Sequence, residues 1–79
     1  MVNISVARDI AIKIHGGYDY VTEYENAFVF SEYDDDNEGG NGPCAVMKAS
    51  ARPMPFVLVL EDGLLGEEIK HGYIKDVIA

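Results

Sequence analysis

The chain has no tryptophan, a single cysteine, and no lysine or arginine between Lys13 and Lys48. One thiol, Cys44, forms no intrachain disulfide and no CxxC or Cys/His ligand set, which removes disulfide scaffolds and zinc modules from consideration. The longest apolar run, from Phe56 to Leu60, is far below the roughly 20 residues a membrane-spanning helix needs. Residues 2–9, VNISVARD, hold neither a basic n-region nor an apolar h-region, so no secretory leader and a cytoplasmic location are expected. His15 and His71 are isolated from each other and from any acid–nucleophile set. Ser5, Ser31 and Ser50 have no GxSxG or SxxK context, and GGNGP lacks the lysine and helix that complete a phosphate loop. No catalytic set, no metal site and no cofactor are expected.

Cations are scarce throughout. Six Lys and Arg stand against fourteen Asp and Glu, giving a net charge of −8 and a pI near 4.4. Such a field repels nucleic acid and anionic membranes, so neither is expected as a direct partner. It attracts basic surfaces and speeds encounter with them. Solubility alone is the simpler use of the same charge.

What the chain does contain is a folding composition. Of its 79 residues 48% are apolar, enough for one domain with one thin core. Such a core leaves only a few kcal/mol of net stability. The acid is concentrated in residues 19–38, DYVTEYENAFVFSEYDDDNE, where eight carboxylates accompany three tyrosines and two phenylalanines.

Residues 3–15 fit an amphipathic helix, with Ile4, Ala7, Ile10, Ala11 and Ile14 on one face, Asn3 as N-cap and Gly16 past the end. Alternation of Ile10, Ile12 and Ile14 also fits a strand, and the helix is the favoured reading. Residues 18–24 and 27–33 read as a hairpin about Glu25-Asn26. Tyr18, Tyr20, Thr22 and Tyr24 would share one face, and Glu23, Glu25 and Glu32 would point outward. Residues 34–43 are loop-forming, and 44–49 read as a short strand. The stretch 51–55 is a turn or extended link, because its prolines lack a donor. Residues 56–61, apolar on both faces, read as the central strand. Residues 67–79 fit either a strand or a helix interrupted at Gly72. The expected fold is α+β, an antiparallel sheet of about four strands with an N-terminal helix and a possible C-terminal one.

Two site readings follow from residues 19–38. Asp34, Asp36, Glu38 and Gly39 match the opening positions of a calcium loop, but position 12 is Ala45 instead of glutamate, so no metal is assigned. The stronger reading is mimicry of nucleic acid. Duplex DNA carries a charge per about 1.7 Å of axis, and carboxylates at i and i+2 of a strand lie about 7 Å apart. Glu23, Glu25, Glu32, Asp34, Asp35, Asp36 and Glu38 could stand in for phosphates. Tyr20, Tyr24 and Tyr33 would supply rigid contact area between them. The expected partner is a basic nucleic-acid-binding host protein.

From Ala27 onward the order of segments resembles the phage uracil-DNA glycosylase inhibitor family. AFVFSEYDDDNE resembles a strand running into that family's acidic turn, and Ala45-Val46-Met47 its Val-Met strand. SARPMPFVLVLED is similar to its proline-containing link into a central apolar strand, and GEEIK to its closing turn and last strand. The family's N-terminal acidic edge strand and second helix have no counterpart here, and the acidic loop is longer by about GGNGP. The resemblance implies a non-catalytic DNA mimic whose apolar pocket, here Val46, Met47 and Val57, takes up the side chain that a glycosylase inserts into DNA. An anti-CRISPR protein blocking a Cas groove would need the same surface. The alternative reading is a small interaction or assembly module, for example a homodimer joined at strand edges, whose acidity serves solubility.

Overall fold

The computed structural model describes residues 2–14, 16–32 and 43–78. Its elements run α1 (Ile4–Ile14), β1 (Tyr20–Tyr24), β2 (Ala27–Ser31), β3 (Cys44–Met47), β4 (Pro53–Pro55), α2 (Phe56–Glu61), β5 (Glu68–Tyr73) and α3 (Ile74–Val77). The architecture is α+β, as expected, with one sheet in the order β4-β3-β2-β1-β5 and every pair antiparallel.

The first helix begins where the sequence places its cap. Asn3 Oδ1 accepts a hydrogen bond from the Val6 N–H at 3.0 Å, satisfying one of the donors a helix start leaves open. Ala7 and Ala11 turn fully inward, and their small side chains let the helix lie close to β2 and β3. Gly16 follows the helix without a left-handed φ.

Strand β2, and not residues 56–61, is the central strand. Ala27, Phe28, Val29 and Phe30 are all buried, because both faces of β2 are covered. Alternation sends Phe28 and Phe30 to one side with Val21, Cys44, Val46, Tyr18, Ala7, Ala11 and Ile74. Ala27 and Val29 go to the other side with Ala45, Val59 and Leu65. The β1–β2 hairpin pairs Tyr20 with Ser31 and Glu23 with Phe28 across the expected Glu25-Asn26 turn. Tyr18 breaks the expected alternation. It lies ahead of β1 and packs into the α1-side core, away from Tyr20 and Tyr24.

Residues 56–61 form a helix because the stop signal after them is helical. Gly63 takes φ 66°, its N–H reaches the Leu60 carbonyl at 3.2 Å, and the Leu64 N–H reaches the Val59 carbonyl at 3.1 Å. These two bonds satisfy the last carbonyls of a helix that ends in a left-handed glycine. Phe56 and Val59, three apart, face the sheet, while Val57, Leu58 and Leu60 face out. The link 51–55 contains strand β4, whose Pro53 and Pro55 are tolerated because it is an edge strand. The strand reading of the tail holds through Gly72, and a helix forms only beyond it. Glu68–Tyr73 is a strand against β1, and Ile74–Val77 is one helical turn.

Candidate partner-binding surface

The hairpin carboxylates do not form one outward row. Glu23 lies on the α1 side of the sheet, where its Oε2 accepts from Lys48 Nζ at 2.6 Å, and Lys70 Nζ stands 3.9 Å from its Oε1. Only 18% of the Glu23 side chain and 11% of the Lys48 side chain are exposed, so the pair is a partly buried structural contact. Lys48 also lies 4.8 Å from the centre of the Phe28 ring. Two of the six cations therefore converge on one carboxylate.

Glu25 has a different task. Its Oε1 accepts from the Glu67 N–H at 2.8 Å, and the backbone repeats the link through Glu25 N–H to the Glu67 carbonyl at 3.0 Å. The Asn26 N–H also reaches the Leu65 carbonyl. Gly66 is required at this crossing. Its φ is 80°, and a Cβ there would stand 2.9 Å from the Glu25 Cβ.

Glu32 is half-buried at the end of β2 and adds the smallest part of an upward shift in the Tyr18 pKa. Burial is the larger cause of that rise, followed by Cys44. Burial likewise pushes the Cys44 thiol up, against a hydrogen bond from the Met54 backbone. Tyr33, Asp34, Asp35, Asp36 and Glu38, and the calcium-loop reading built on them, lie outside the described residues.

The tyrosines separate as well. Tyr20 sits edge-on to Tyr73, with ring centres 5.5 Å apart, and its hydroxyl shares a hydrogen bond with His71 Nδ1. His71 Nε2 lies 3.9 Å from Glu68 Oε2. Tyr24 packs instead beside Val59 and Leu65 at the opposite end of β1. His71, read from sequence as isolated, thus meets a tyrosine 51 positions away.

Val46, Met47 and Val57 do not share a pocket. Val46 is fully buried against α1, Met47 points to the α2 side as strand alternation requires, and Val57 is exposed. The stretch that resembles the glycosylase-inhibitor family's central strand is itself the helix α2.

Sequence reasoning missed the outer face of α2 and the turn after it. Val57, Leu58, Leu60 and Leu64 are 55%, 47%, 55% and 42% exposed, a large apolar allotment for one short segment. Glu61, Asp62 and Glu67, close to them in the sequence, are exposed as well. The legible signal was LEDGL, a helix end with a left-handed glycine and a following leucine.

Among the described residues, no three His, Cys, Asp or Glu side chains gather as metal ligands, and no helix is long and apolar enough to cross a membrane. Comparison with protein-family models, with curated proteins and with solved structures finds no match.

Proposed function

We propose that this protein is a non-catalytic acidic binder that occupies the basic, nucleic-acid-binding face of another protein. One observation carries the reading. The sequence has two cation-free stretches, between Lys13 and Lys48 and between Arg52 and Lys70. The fold joins them at one pole through the Glu25–Glu67 contacts. Glu61, Asp62, Glu67 and Glu68 are exposed in the second stretch, while Lys48 is paired with Glu23 and Lys70, itself exposed, stands 3.9 Å from it. A one-sign field of this kind steers a basic surface into contact and competes with phosphates for it. The DNA-binding face of a uracil-DNA glycosylase and the nucleic-acid groove of a Cas effector are both targets of this type.

The test is capture from a cell lysate by the immobilised protein. A DNA- or RNA-binding protein should be retained at low salt, released at high salt and displaced by added nucleic acid. Glu23 is kept, because it holds Lys48. Unchanged capture after combining Glu25→Gln, Asp34→Asn, Asp35→Asn, Asp36→Asn, Glu61→Gln and Glu67→Gln would overturn the proposal.

A second reading, a homodimer joined at sheet edges, draws on the strand order. Edge strand β5 is exposed from Glu68 to His71, whereas edge strand β4 is interrupted as a donor by Pro53 and Pro55. Sedimentation showing a concentration-dependent dimer that Ile69→Pro dissolves would favour it.

A further inference from the structure

We propose that the outer face of α2 and the 63–66 turn is a docking site for a Lys/Arg-rich amphipathic helix of the partner protein. The proposal rests on the acidic-binder reading and names the surface and the kind of segment that would meet it.

The face has the parts such a helix needs. Val57, Leu58, Leu60 and Leu64 supply the apolar area. Two concavities flank the turn. One, of about 360 Å³, lies between Leu64, Met47 and Glu25, and the other, of about 280 Å³, lies between Leu60, Tyr24 and Leu65. Each is of a size to admit the tip of a large apolar side chain, and helices docking in grooves present such anchors at i and i+3 or i+4. Lys48 also lines the first concavity, but its ammonium is directed to Glu23.

Charge selects among possible occupants. Between Arg52 and Lys70 the sequence holds four carboxylates and no cation. Two copies meeting through this face would bring like charges together while covering the leucines, which opposes self-association. An anionic lipid surface meets the same repulsion. A helix with leucines on one side and lysines or arginines beside them satisfies both the apolar centre and the acidic rim.

The experiment uses the full chain and a fluorescein-labelled synthetic peptide of about 15 residues, a length at which helices become marginally stable in water. The peptide carries Leu at i, i+3, i+4 and i+7 and Lys elsewhere. One control replaces its leucines by serine at the same charge, and another replaces its lysines by glutamate. The Leu/Lys peptide should raise anisotropy on binding, and both controls should bind at least about tenfold more weakly, since apolar anchors and charge each contribute. Val57→Ser with Leu60→Ser should weaken binding by at least about tenfold, with the thermal transition retained. Ile12→Ser, an exposed apolar change on α1, should leave binding unaltered.

Equal binding of the serine control, or equal loss with Ile12→Ser, overturns the proposal by reducing it to general charge attraction. A dimer that Leu60→Ser dissolves and the peptide fails to displace overturns it in favour of a second copy. Peptide binding that behaves as expected while nucleic acid fails to displace the captured partner supports this surface and removes the nucleic-acid-mimic function. Displacement by nucleic acid without peptide binding does the reverse.

Discussion

On one face of the sheet, α1 and α3 close over Val21, Phe28, Phe30 and Val46, and the helix residues beneath them, Ala7 and Ala11, have no exposed area. On the other face a single six-residue helix covers Ala27, Val29 and Ala45 with Val59, and turns Val57, Leu58 and Leu60 to solvent. Both faces belong to the same three central strands, so the difference is in what covers them. The α1 side buries large side chains against a matched helix and gains from the area removed from water. The α2 side leaves apolar area exposed, which contributes nothing to folding unless something else covers it. The comparison assigns stability to the first face and leaves the second as the place for the proposed docking.

Truncating the α1-side core should therefore have the largest effect. Phe30 is fully buried, and Phe30→Ala should cost about 3–5 kcal/mol. That equals most of the stability a domain of this size has, so the variant should be largely unfolded in a urea titration. Val59→Ala, at the equally buried centre of the α2 side, should cost about 2 kcal/mol and leave a cooperative transition. A Val59→Ala loss as large as that of Phe30→Ala would break the contrast between the faces.

The ion pair at the edge of the α1-side core comes next. Glu23→Gln leaves Lys48 with an 11% exposed side chain and no carboxylate at 2.6 Å. The loss of a charged hydrogen bond in a partly buried site should cost about 1.5–3 kcal/mol, read as a lower urea midpoint. Glu25→Gln keeps an oxygen for the Glu67 N–H and should cost under about 1 kcal/mol. Equal costs would show that Glu23 is as solvated as the sequence reading of an outward row had it.

These two glutamates illustrate what was legible. Helix α1, its Asn3 cap, the β1–β2 hairpin and the α+β class could be read because each rests on local periodicity and turn chemistry. The fates of Glu23 and Glu25 could not, because they depend on Lys48, Lys70 and Glu67, which are 25, 47 and 42 positions away. Residues 56–61 were misread for another reason. FVLVLE fits a strand buried on both faces and a helix equally well, and the deciding bonds from Gly63 and Leu64 are local but come after the segment. The joint pocket of Val46, Met47 and Val57 fails on strand geometry alone, since neighbours on β3 face opposite sides.

Alkaline titration gives a smaller and more specific test of the α1-side core. Tyr18 and Cys44 both lie there, and both ionise above their ordinary values of 10.0 and 9.0, chiefly because burial disfavours the charged forms. Folding therefore favours the protonated forms. Their contribution is fully present below the unfolded-state values and is lost as pH rises through the higher folded-state values. The thermal midpoint should fall as pH rises above about 9. Tyr18→Phe and Cys44→Ala should each flatten that fall. An unchanged slope in both variants would place the alkaline loss elsewhere.

The smallest expected effect on stability is the one that most sharpens the contrast. Leu60→Ser lies on α2 at a position 55% exposed, and Val57→Ser at another 55% exposed position beside it. Serine is a slightly weaker helix former than leucine, so each change should cost no more than about 0.5 kcal/mol. Surface substitutions away from caps and packed sites usually fall in that range. The urea midpoint should therefore hardly move, while binding through the α2 face should fall steeply. A loss of about 2 kcal/mol or more in either variant would mean that these side chains are covered within the folded chain itself. The α2 side would then be a second core of the same kind as the first, and the division between a stabilising face and a recognising face would go with it.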